Sequence, residues 1–180
     1  MGRKWIELEG IGKLEIEVVL VTFDVPVLFI CQNEKEQRYL TMCVDEDEGI
    51  YTLVQTEKSF ILQMLENKMT MEHVFRIAKN GKIFLTNYDF KNCVFGVTAH
   101  NAADFDKEYL PKEGEYFELC NDKILAYKEK LLKEDLMWQI AIARYHVLSL
   151  KYSEGSDNTV HAMDANITNQ HIAKRGLLIA

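Results

Sequence analysis

Between residues 14 and 54 the chain reads LEIEVVLVTFDVPVLFICQNEKEQRYLTMCVDEDEGIYTLV, and no other stretch constrains the fold so tightly. Leu14, Ile16 and Val18 alternate with Glu15 and Glu17, the period of a half-buried strand, before residues 19–21 become continuously apolar. Asp24-Val25-Pro26 ends that strand, because proline has no ladder donor and restricts the residue before it. Residues 27–31 form a fully apolar strand, and the polar run 32–36 turns the chain back. The return over 37–44 places Tyr39, Thr41 and Cys43 on one side and Leu40, Met42 and Val44 on the other, so each side can meet its own layer. Asp45, Glu46, Asp47, Glu48 and Gly49 then turn the chain into a fourth strand over 50–55. Consecutive strands joined by such short turns predict an antiparallel β-meander.

The flanking segments supply its cover. Residues 1–13, with Trp5, Ile6, Leu8 and Ile11, predict a short strand or extended lead-in. Thr56 is the expected N-cap of a helix over 57–67 whose Phe60, Ile61, Met64 and Leu65 share a face. Thr70 is the expected cap of a second helix over 71–78. Asn80-Gly81 signals a turn, and 82–88 with 91–99 read as two more strands joined around Asp89. Residues 100–114, with Pro111 and Gly114, read as a long surface loop dividing a first region, 1–99, from a second, 100–180.

Beyond that loop, 115–119 reads as a short strand and 122–135 as a helix capped by Asn121. Residues 136–152 fit either a helical continuation or a strand in which Trp138, Ile140, Ile142, Arg144 and His146 share a side. The β-branched and aromatic residues favour the strand. Residues 159–163 would be its hairpin partner and 164–178 a final helix, before the chain closes on apolar residues 177–180. The fold class is therefore α+β: an N-terminal antiparallel β-meander covered by short helices, then a second α/β segment packed with it as one globular unit.

Composition narrows the functional classes. The 180 residues carry a formal charge of −7, which disfavours general nucleic-acid binding because phosphate contacts need clustered Lys and Arg. Cys31, Cys43, Cys93 and Cys120 are widely spaced with no zinc pattern, which suits free thiols in a reducing compartment, and the N-terminus has no secretory apolar core. A cytoplasmic protein without a membrane span follows as the expectation.

Candidate chemistry is sparse. Asp45-x-Asp47-x-Gly49 begins like a calcium loop but lacks the later ligands and lies between strands, so a solvated hairpin tip is the stronger reading. The same carboxylates, Asp45, Glu46, Asp47 and Glu48, are the candidate contact with a basic patch on a protein partner. A metal-dependent hydrolase or nuclease would draw on Asp89, Lys91, His100, Asp104, Asp106 and His146. Glu66-Asn67-Lys68 and a His146–His161 pair are weaker variants of that idea. A binder of a small nucleotide-like ligand between sheet and helices is a third reading. No glycine-rich phosphate loop, nucleophile elbow or cysteine–base pair occurs, so no cofactor or catalytic residue is assigned.

The run Asp24-Val25-Pro26-Val27-Leu28-Phe29, then Arg38-Tyr39-Leu40, the acidic turn, Tyr51, and the helix with Leu62 and Leu65 carry one resemblance. They resemble a group of uncharacterised bacterial domains in which a D-x-P-x-L-F strand precedes a Y-L strand and a short helix. The likeness spans residues 10–80, implies a small β-rich domain without an assigned activity, and points toward accessory components of phage-defence loci. The negative charge, the lack of a catalytic motif and the aromatic and apolar residues near both ends lead to the expectation of a non-enzymatic, protein-binding or regulatory protein of a bacterium or phage. The apolar close of the chain adds the expectation of a homodimer.

Overall fold

The computed structural model describes residues 3–89, 94–118 and 121–153. The expected strand at 159–163, the helix at 164–178 and the apolar close at 177–180 lie outside the described residues, as do Lys91, Cys93 and Cys120. Contacts divide the chain into two compact units, Met1–Glu134 and Asp135–Ala180.

Among the described residues seven strands run in sequence order in one antiparallel sheet: β1 (Arg3–Leu8), β2 (Gly12–Thr22), β3 (Pro26–Asn33), β4 (Arg38–Asp45), β5 (Ile50–Thr56), β6 (Lys82–Asp89) and β7 (Val94–Asn101). The expected meander is present, and the later hairpin extends the same sheet. Between β5 and β6 the chain leaves the sheet to form α1 (Lys58–Leu65) and α2 (Met71–Arg76).

The sheet curls strongly toward one face. In a flat sheet Trp5 on β1 and Tyr51 on β5 would be four strand spacings apart, about 19 Å. Their rings are 5.2 Å apart, edge to face, and Trp5 also meets Phe29 on β3 at 4.8 Å. Phe95 and Val97 of β7 join the same cluster, so the first and last strands gather over one interior like a half-barrel. That interior is filled by Leu8, Leu14, Phe29, Cys31, Tyr39 and Leu53.

The opposite, convex face carries Leu20, Leu28, Ile30, Leu40, Val54 and Ile83. Over it lie Ile61 and Met64 of α1, Val74 and Phe75 of α2, and Phe105, Leu110 and Phe117 from the segment after β7. The expected surface loop at 100–114 thus sends side chains into the core. The two faces explain why residues 27–31 are apolar without alternation: both sides of β3 are buried.

Bulges set which side chains face which layer. In the β2–β3 pairing, Ile16 opposes Cys31 and Val18 opposes Ile30, so Glu17 is an inserted residue. Ile16 consequently faces the interior, while Glu17 and Val18 both face the convex side. A second shift at Leu20 repeats the effect. On β1 a shift between Lys4 and Glu7 lets the neighbours Trp5 and Ile6 both pack into the interior.

The polar turn between β3 and β4 is built on Asn33. Its amide donates to the Ile11 carbonyl at 3.0 Å and to Gln37 Oε1 at 2.8 Å, and its oxygen accepts from the Lys35 and Gln37 amides at 3.0 Å each. Asn33→Ala is expected to cost about 2 kcal/mol, because it removes four hydrogen bonds, of which the one to the Ile11 carbonyl is buried and the other three are partly buried. A urea midpoint unchanged from wild type would refute that role for Asn33.

The helix caps depart from expectation at one of three positions. Thr56 does not cap α1: its side chain points into the core, and Glu57 takes the N-cap position without a side-chain bond. The last residue of a strand with both faces buried aims its side chain at a core layer, and the helix begins one residue later. Thr70 and Asn121 cap as expected, accepting from the His73 amide at 3.3 Å and the Ile124 amide at 3.0 Å. Thr70→Ala is expected to lower stability by about 1 kcal/mol, measured by chemical denaturation.

Among the described residues, two expected strands, 115–119 and 136–152, are absent. Residues 115–118 are irregular, with Phe117 buried and the Glu115 carbonyl accepting from the Met71 amide. Residues 136–152, whose alternation predicts a strand, belong to α3 (Asp122–Ser153), a helix of 32 residues. Extending an existing helix avoids a new nucleation cost, and α3 contains neither glycine nor proline to stop it. Ala141, Ala143, Leu136, Met137, Gln139 and Arg144 are good helix formers and outnumber Ile140, Ile142 and Val147. Among residues 135–146, the part of the second unit whose burial is described, the half-buried ones are Asp135, Trp138 and Ile142, a spacing of three and four that follows the helical period and not the strand's.

Candidate functional site

The β2–β3 and β4–β5 turns lie at the same end of the sheet, and both carry exposed residues. The first is closed by the Phe23 amide donating to the Val25 carbonyl at 3.1 Å. Thr22 Oγ1 donates to the Phe23 and Val25 carbonyls at 3.2 and 3.3 Å. Pro26 fixes the exit of this turn. Its outermost side chain is Phe23, which is 78% exposed, against 0% for Phe29 six residues later.

The second turn carries the acidic run. Asp45 Oδ1 accepts from the Glu48 amide at 2.9 Å, the Gly49 amide donates to the Glu46 carbonyl at 3.3 Å, and Gly49 adopts φ +63°, which glycine takes without strain. Asp45 is thus engaged in shaping the tip, while Glu46, Asp47 and Glu48 are exposed. The negative field of Glu46 and Asp45 reaches the groups beneath. The Tyr51 hydroxyl is pushed up to about 12, first by burial and then by Cys43 and Glu46. Burial, with Glu46 and Asp45 adding to it, also raises the Cys43 thiol.

A second polar group lies on the convex face, and the sequence does not advertise it. The bulged Glu17 accepts from Arg38 Nε at 2.8 Å and Nη2 at 3.1 Å, from the Tyr127 hydroxyl at 2.9 Å, and from Lys130 Nζ. Arg38 also reaches Glu134 at 2.9 Å. Burial works to raise the Glu17 carboxyl, but hydrogen bonds from Arg38 and Lys130, the Arg38 charge and the Tyr127 bond together hold it below the usual carboxylate range. Ile124, Tyr127 and Leu131 bury the same helix face. The group clamps the start of α3 to β2 and β4. Every member has a protein partner, which suits a structural role.

The other sequence candidates are not brought together. Asp89 ends β6. His100 on β7 is exposed, with Nε2 2.9 Å from Thr98 Oγ1 and its ring against Phe105. Asp104 accepts from Asn101 at 3.1 Å, and Asp106 caps the short 3-10 helix Lys107–Tyr109. Glu66 pairs with Lys68 at 2.7 Å in the turn after α1. His146 lies on α3 within the second unit, and His161 is outside the described residues. Among the described residues no group of three His, Cys, Asp or Glu side chains is placed to hold a metal ion. Two open depressions flank the β1–β2 and β3–β4 turns, at the far end of the sheet from Phe23. Glu7, Leu8, Gly10 and Asn33 line one, and Trp5, Lys13, Gln32 and Glu34 the other. Among the described residues no helix is long and apolar enough to cross a membrane.

The architecture defines the class: an α+β protein in which a curled antiparallel meander is followed by helices. No family model, no curated protein and no solved structure matches the chain.

Proposed function

We propose that the protein is a non-enzymatic binding or regulatory protein that engages a basic protein partner through the rim of Phe23 and the acidic turn. The observation that carries this reading is the 78% exposure of Phe23 on a hydrogen-bonded turn, at the same end of the sheet as Glu46, Asp47 and Glu48. An aromatic side chain on a fixed turn loses little conformational freedom on docking, so it suits an anchor that fills a pocket. The carboxylates on the second turn at that end favour a basic partner and speed its approach, an effect that salt screens. The wider reading, a cytoplasmic homodimer of bacterial or phage origin acting in phage defence or counter-defence, rests on the sequence resemblance over residues 10–80 and on the apolar close of the chain.

Phe23→Ala, and separately Glu46→Lys with Asp47→Lys, remove the anchor and the charge at exposed positions that leave the core intact. In affinity capture from bacterial lysate, quantified by mass spectrometry, both variants are expected to lose the same protein by roughly tenfold, a change of about 1.4 kcal/mol. Raising the salt should weaken wild-type capture in the same direction. Equal capture by wild type and both variants would sink the proposal.

A further inference from the structure

We draw no further inference here: the strongest candidate, the apolar surface that α3 leaves exposed in the second unit at Leu136, Met137, Ile140 and Tyr145, carries nothing because nothing in the structure shows what covers it.

Discussion

Phe29→Ala is expected to cost about 3–5 kcal/mol of folding stability. Phe29 is fully buried on β3, and its ring lies edge to face with Trp5 at 4.8 Å and with Tyr51 at 6.1 Å. Each such pair adds about 0.5–1.5 kcal/mol beyond simple burial. The interior has little freedom to collapse around the lost ring, because its walls are strands of one hydrogen-bonded sheet and not independent helices. Domains of this kind are stable by roughly 5–15 kcal/mol in total, so the variant would be marginal at room temperature. Urea denaturation followed by tryptophan fluorescence reads the effect, since Trp5 reports on the same cluster. Phe23→Ala supplies the contrast, with a change expected to stay within about 0.5 kcal/mol because that ring is mostly in water. Comparable losses at the two phenylalanines would contradict the assignment of the interior.

The same contrast shows how far the sequence can be read. Alternation at 14–18, Pro26, the polar run at 32–36 and the acidic run at 45–48 are local signals, and the strands they delimit are present. Those signals cannot show that Phe29 faces a curled interior while Leu28 and Ile30 face helices, because closure depends on strands at opposite edges of the sheet. Residues 136–152 mislead for a related reason. Alternating apolar residues also occur in a helix with a broad apolar surface, and the helix formers among them weigh more than the alternation. The acidic turn is legible as a hairpin tip, whereas Phe23 reads as the end of an apolar strand. A large aromatic followed directly by an Asp and, three residues on, by a Pro is the available sign. Glu17 is the least legible residue. The change at 16–19 from alternating to continuous apolar residues does mark the bulge, but its partners Tyr127 and Lys130 are 110 and 113 residues away in the chain.

Glu17 is where acid sensitivity should concentrate. Its side chain is 7% exposed and that of Arg38 14%, so removing the carboxylate charge leaves a guanidinium in a poorly hydrated position. Glu17→Gln is expected to cost about 3 kcal/mol at neutral pH, the lower end for breaking a buried ion pair, because Arg38 retains Glu134. The pH dependence has a definite sign. The folded-state pKa of Glu17 lies below its ordinary value of about 4.3, so its stabilising contribution is complete above that value. The contribution is lost as pH falls through the lowered folded pKa. Wild type and Glu17→Gln should therefore differ most at neutral pH and converge on acidification, as denaturation midpoints taken from about pH 7 down to about pH 3 would show. A purely apolar replacement separates charge from packing: Glu17→Leu with Arg38→Met and Tyr127→Phe, the last removing the buried hydroxyl that donates to Glu17, should recover most of the loss, since well-packed apolar groups can match a buried ion pair. If the single variant were as stable as wild type at neutral pH, or the gap held constant across the titration, the clamp on α3 would not depend on the Glu17 charge.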